Sequence, residues 1–215
     1  MTKGKICTII SSCLACIAVV IGITISCINI SPKIPKEDIP QTATQPTNTS
    51  GYWTDSGRYG TTPWSGSGTE NDPYLIQSAK DLARLSYMVY SGKGEHSGSD
   101  YYQGAWFKQT TDLDLSAYYW QPIGVDGAGQ SFSGNYDGNN HTISGVFTSA
   151  TRLYNSGLFA HVSANALIIN LGIINSLIQG ERCVGGIVGQ TESETKIINC
   201  FNAGNVSGGT YVGGI

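Results

Sequence analysis

Apolar residues fall along this chain in distinct patterns. Residues 6–30 are apolar and carry no charge. Residues 31–50 are rich in Pro, Thr and Gln and nearly empty of large apolar side chains. Leu82, Leu85, Met88 and Val89 then recur at helical spacing, with Lys80, Asp81, Arg84 and Tyr87 on the other side. Ser78-Ala-Lys-Asp81 has the form of a capping box and Ser91-Gly92 supplies a stop, so the pattern predicts one amphipathic helix over 79–90. From Ala105 the period changes to two. Leu113 and Leu115 alternate with Asp112 and Asp114, and short strands are predicted at Trp120–Gly124, Phe132–Tyr136 and His141–Phe147. Asp137-Gly138 reads as a tight turn between the last two.

Beyond Gly157 the pattern repeats itself. Gly185-Gly186-Ile187-Val188-Gly189 returns as Gly213-Gly214-Ile215 twenty-eight residues later. Gly157-Leu158-Phe159-Ala160 leads after thirteen positions to Asn170, and Gly186-Ile-Val-Gly189 leads after thirteen to Asn199. Both asparagines sit in an Ile-Ile-Asn run, Leu167–Leu171 and Lys196–Cys200. A period of this length marks a solenoid, in which each short apolar strand stacks on its equivalent one coil later. The fold predicted is all-β: a right-handed parallel β-helix over 104–215, fronted by a cap region over 51–103 that holds the helix. Ile169 and Ile198 must then stack, and Asn170 and Asn199 can bond turn backbones or one another along a ladder.

Several further motifs occur in fixed order. They are Gly66-x-Gly-Thr-x-x-Asp-Pro-Tyr-x-Ile76, Leu82-Ala-x-Leu85, Phe107 to Asp112-Leu-Asp-Leu115 and Trp120-x-Pro-Ile-Gly124, then Phe132-Ser-Gly-x-x-Asp-Gly-x-x-His-Thr-Ile143 and Gly157-Leu-Phe-Ala. With Val184-Gly-Gly-Ile-Val-Gly189 they resemble the bacterial surface proteins with GLUG repeats, over about residues 64–215. The resemblance implies an exported β-helical stalk or binding region, often part of a longer adhesin-like protein. Similar repeats occur in the N-terminal regions of metalloproteases that cleave immunoglobulin A. Ala160 replaces the usual Gly, and the last motif stops after Ile215.

The start of the chain adds a location. At about 1.5 Å per residue, a helix of residues 6–30 exceeds the roughly 30 Å hydrocarbon core of a bilayer. Lys3 and Lys5 precede it, as in a secretory signal or the positive-inside flank of an anchor. A retained signal anchor is the first reading. Cleavage is the alternative, and Thr24-Ile-Ser-Cys27 faintly resembles a lipobox. Residues 31–50 then serve as an extended tether, and the rest faces outward from the cell. Four of six cysteines lie in the apolar run; Cys183 and Cys200 do not. Cys200 takes the repeat position of Leu171 and reads as a packed thiol rather than half of a bridge.

Net charge is −3 with 13% charged residues, and no Lys/Arg cluster occurs beyond the first five positions. Nucleic acid is therefore not expected as a partner. A membrane is, through residues 6–30, and so is a glycan or protein ligand. His96, His141 and His161 each stand alone, and no His-Glu-x-x-His occurs. Asp112, Asp114, Asp126 and Asp137 are the carboxylates that a Ca²⁺ ion or a polysaccharide-cleaving acid pair would use. The simpler reading places Asp112 and Asp114 on the solvent face of a strand and gives Asp137 a turn. No catalytic residue and no cofactor are predicted. Tyr52, Trp53, Tyr59 and Trp64 read as a cap over the core, with a sugar platform as the alternative. Tyr101, Tyr102, Trp106 and above all Tyr118, Tyr119 and Trp120 are the residues that could stack on glycan rings, or else fill the end of the first coil. A solenoid also needs a finished end, so more chain is expected beyond Ile215.

Overall fold

The structure, a computed structural model, describes residues 45–93, 102–124, 130–149 and 154–215. The run 6–30, most of the tether, His96, Tyr101 and Asp126 lie outside these residues. Among the described residues no helix is long and apolar enough to cross a membrane.

The elements are β1 (Tyr74–Ile76), α1 (Ala79–Tyr90), β2 (Trp106–Gln109), β3 (Leu113–Asp114), β4 (Asn135–Ser144), β5 (Asn155–Ser156), β6 (Phe159–Val162), β7 (Leu167–Gly180), β8 (Cys183–Val184), β9 (Val188–Thr191), β10 (Lys196–Ile198) and β11 (Phe201–Gly208). The main sheet runs β1-β2-β4-β7-β10, with β3 also on β4 and β11 also on β7. Two smaller ladders, β5-β8 and β6-β9, form other sides of the coil. Every pairing between these strands is parallel. Among the described residues the arrangement is a β-solenoid of about four turns with one helix. Ile169 pairs with Ile198, as the repeat requires.

Register explains the core. Tyr74, Phe107, Tyr136, Ile168 and Ile197 stack level upon level, and so do Leu113, Ile143 and Ile173. Along β7 the inward residues are Ile168, Leu171, Ile173, Ser176 and Ile178. Strict alternation would step by two, but the steps across Asn170 and Asn175 are three. Both asparagines have positive φ, +54° and +45°, and each turns a corner that consumes one residue and returns the next side chain to the core. Asn is the non-glycine residue that tolerates this best.

The N-terminal end is closed by aromatic rings. Trp64 contacts Tyr74, Tyr102 and Phe107, and the series continues through Phe132 to Phe159 with centroids 5.1–6.0 Å apart. Helix α1 buries Leu82, Leu85 and Val89 over this end. Its start is held reciprocally: Asp81 N–H donates to Ser78 Oγ at 3.3 Å, while Ser78 Oγ–H and Gln77 N–H donate to Asp81 Oδ2 at 2.8 and 3.1 Å. The helix occupies 79–90 as predicted.

Three features differ from the sequence reading. The cap region supplies β1, an unpredicted strand that opens the sheet by pairing with β2. Asp137-Gly138 does not separate two strands; β4 runs continuously from Asn135 to Ser144 and bulges at Asn139 and Asn140, where φ is +52° and +63°. Asp137 still starts the bend, accepting Asn139 N–H at 2.8 Å. Ordered contacts also begin before Gly51, because Thr47 and Asn48 donate backbone N–H groups to Ser116 and Ala117 carbonyls at 2.8 and 3.0 Å.

Tyr136 is fully buried, donating its hydroxyl to Gln109 Oε1 at 3.1 Å. Burial pushes its phenol far above the ordinary value of about 10. The folded state therefore keeps a proton that the unfolded chain loses, so stability is intact below about pH 10 and falls as pH rises further, by up to about 1.4 kcal/mol per pH unit. Urea unfolding from pH 8 to 11 should show this fall, with a shallower slope in Tyr136→Phe. An equal slope in the variant would remove Tyr136 as the cause.

Candidate functional site

The repeat glycines are set by close backbone approach. A Cβ on Gly157 would lie 2.7 Å from Phe159 O, and one on Gly185 would lie 2.0 Å from Val188 O. One on Gly186 would meet Asn202 and the Gly214 carbonyl at 2.4 Å, and one on Gly189 would meet the Cys183 carbonyl at 2.8 Å. Leu158, Phe159, Ile187 and Val188 between them are buried. At Gly213 and Gly214 space is open: the nearest atom to such a Cβ is 3.6 Å away at the first, and none lies within 4 Å at the second. These residues shape the coil and present no reactive group.

The asparagines form a ladder down one corner. Asn199 Nδ2 donates to Asn170 Oδ1 at 2.7 Å, and Asn170 Nδ2 donates to Asp137 Oδ1 at 3.0 Å. Asn170→Ala should cost about 2–4 kcal/mol, combining the positive-φ penalty with two lost hydrogen bonds. Asn170→Gly, which loses only the bonds, should cost about half as much. Guanidinium unfolding compares the two; an alanine variant no worse than glycine would mean that the corner relaxes.

The proposed stacking residues separate. Trp120 is fully buried and donates its indole N–H to Leu158 O at 2.9 Å, so it has no face for a sugar. Of the two roles expected for it, core filling is the one its burial fits. Tyr102 is likewise buried, its ring against Trp64 and Phe107. Tyr118 is half-buried, with Trp53 edge-on at 5.2 Å and the Arg58 guanidinium 4.2 Å from its ring centre. Tyr119 leans on Tyr52 at 6.0 Å and donates its hydroxyl to Gln45 Oε1 at 2.8 Å.

The carboxylates serve the backbone. Asp112 Oδ1 accepts Thr142 N–H at 2.7 Å and lies 3.3 Å from His141 Nδ1; Asp114 Oδ1 accepts Ser116 N–H at 2.9 Å. His161 is buried, its Nε2 3.6 Å from Glu192 Oε1. Among the described residues no three His, Cys, Asp or Glu side chains converge as a metal site would require. Cys183 and Cys200 are free thiols. Cys200 stands one level above Leu171, and burial pushes its thiol pKa up.

One surface feature escaped the sequence reading. Between the last turn of α1 and the Tyr52–Asp55 turn lies an open cleft of about 350 Å³, lined by Tyr52, Asp55, Tyr87, Tyr90, Ser91 and Gln121 among others. Trp53 anchors one wall, donating its indole N–H to Leu115 O at 2.9 Å. Ser86 Oγ–H donates to the Gln121 carbonyl and fixes the floor against the helix. Tyr87 stacks on Tyr59 at 4.1 Å and accepts a hydrogen bond from Lys93 Nζ at 2.9 Å. That ammonium lowers the Tyr87 pKa, and the tyrosine in turn raises that of Lys93. The exposure of Tyr90 was the signal available in sequence, since it falls off the apolar face of the helix.

No family model matches the chain, and no solved structure matches it. A protein of Evansella cellulosilytica described as a Gly-rich membrane protein is 34% identical over 133 residues, 58% of this chain and 14% of that protein. Halomucin of Haloquadratum walsbyi is 28% identical over 172 residues, 76% of this chain and 2% of halomucin. The chain thus spans a small part of the length of either relative.

Proposed function

We propose that this chain is a non-enzymatic β-helical module of the GLUG-repeat type, displayed at a bacterial cell surface as an adhesion or scaffold region. The observation that carries the reading is the parallel pairing of β4, β7 and β10–β11, which resumes in register after each bulge and makes an extended surface from one repeated coil. Asp112 and Asp114 are occupied by backbone N–H groups, which suits structure better than acid–base chemistry. The Gly-rich membrane protein and halomucin, of which this chain spans 14% and 2%, agree with a module inside larger proteins. The uncharged run 6–30 with Lys3 and Lys5 supplies the anchor, residues 31–44 the spacer, and the coil is right-handed. No cofactor is needed.

Protease shaving of intact cells tests the reading. The chain should be digested without lysis while remaining with the membrane fraction. Protection until lysis would overturn surface display. Release of reducing sugar from a polysaccharide, abolished by Asp114→Asn, would overturn the non-enzymatic assignment.

A further inference from the structure

We infer that the cleft between α1 and the Tyr52–Asp55 turn binds a neutral pyranose saccharide. This deepens the surface-module reading by naming a ligand class and a place for it.

The cleft leaves several groups unused. Tyr90 is 46% exposed, and among the described residues its ring and hydroxyl have no hydrogen-bond or aromatic partner. Tyr52 faces the same space and is backed by Tyr119. The Gln121 carboxamide has no hydrogen bond among the described residues, although its backbone carbonyl is held by Ser86. Asp55 spends Oδ2 on Tyr52 N–H at 2.9 Å and on Arg58 at 3.0 Å, which leaves Oδ1 over. A pyranose ring offers an apolar C–H face and a rim of paired hydroxyls. An open tyrosine ring suits the face, and a carboxylate beside a carboxamide suits the rim.

Charge and size narrow the class. Arg58 is committed to Asp55, to the Tyr52 carbonyl at 3.2 Å and to the Tyr118 ring; Lys93 is committed to Tyr87. No unspent cation among the described lining residues remains to receive a uronate or sialate, since Asp55, the charged residue of the lining, is itself paired with Arg58. The volume lies at the lower end of the range for small-molecule sites, about 300–1,000 Å³, and fits one or two sugar rings. Both walls are held in place, by the buried Trp53 on one side and by the capped end of α1 on the other, where Ser91 N–H donates to the Tyr87 carbonyl at 2.8 Å. Little ordering is therefore lost on binding.

The test is saturation-transfer NMR on the full chain in a sugar-free detergent. The probes are cellobiose, maltose and N,N′-diacetylchitobiose, with glucuronic acid as the anionic comparison. At least one neutral disaccharide should receive saturation, strongest at its ring C–H protons, with glucuronic acid weaker. Tyr90→Ala and Gln121→Ala should each weaken binding about tenfold or more. Tyr154→Ala, at a tyrosine 59% exposed and outside the cleft, should leave it unchanged. Thermal melts of all variants should match the parent. Absence of transfer to every neutral probe, binding that survives Tyr90→Ala, or equal binding of glucuronic acid would each overturn the inference. The assay uses purified protein, so its failure is separable from failure of surface display, which shaving reads.

Discussion

Trp120→Ala should destabilise the folded chain by about 3–5 kcal/mol, the range for removing a large buried ring. The indole is fully buried, and its loss also leaves the Leu158 carbonyl without its donor at 2.9 Å. Trp120→Phe refills most of the volume but not the hydrogen bond, so it should recover more than half of the loss. Urea unfolding by circular dichroism gives both values. A stability change below about 1 kcal/mol for the alanine variant would mean that Trp120 is not core, and would reopen its stacking role.

The second large effect lies inside the repeat motif. Gly185→Ala should cost about 3 kcal/mol, because the new methyl would sit 2.0 Å from Val188 O and 2.4 Å from Ile215 O, both backbone atoms. In the 215-residue chain, Gly213→Ala changes the same motif position one repeat later and should fall within about 0.5 kcal/mol, since its nearest neighbour there is 3.6 Å away. Paired melting curves decide between shape and local conformation as the cause. Equal losses at both positions would point to a backbone preference shared by the motif rather than to close approach.

Much of the coil was legible because it repeats. Ile169 over Ile198, Cys200 over Leu171 and the Asn170–Asn199 pair follow from counting residues, since a coil of fixed length must return equivalent positions to the same corner. The helix was legible for a local reason: Ser78, Asp81 and the spacing of Leu82, Leu85 and Val89 carry its start, face and length within one stretch of chain. Of the four aromatics expected to cap the core, Trp53 is buried and Trp64 packs against Tyr74, Tyr102 and Phe107, whereas Tyr52 lines the cleft.

What local sequence could not supply was the role of each ring and each bend. Tyr118, Tyr119 and Trp120 are adjacent and chemically alike. Only tertiary packing buries Trp120 and leaves the other two half-covered, because burial depends on partners distant in sequence, as the Trp120–Leu158 bond shows. Asp137-Gly138 has the composition of a hairpin turn, yet neighbours on both sides hold β4 in a parallel ladder and convert the turn into a bulge. Tyr74–Ile76 is too short to read as a strand until β2 lies beside it. The cleft assembles Tyr52, Tyr90 and Gln121 from three separate segments. Sequence by itself determined the repeating coil, the Asn170 and Asn199 corner and the helix over 79–90, because those depend on period and local capping. Which aromatic side chains face solvent, and where they meet a carboxylate and an amide, was decided by the tertiary structure, because exposure is what remains after distant segments have packed.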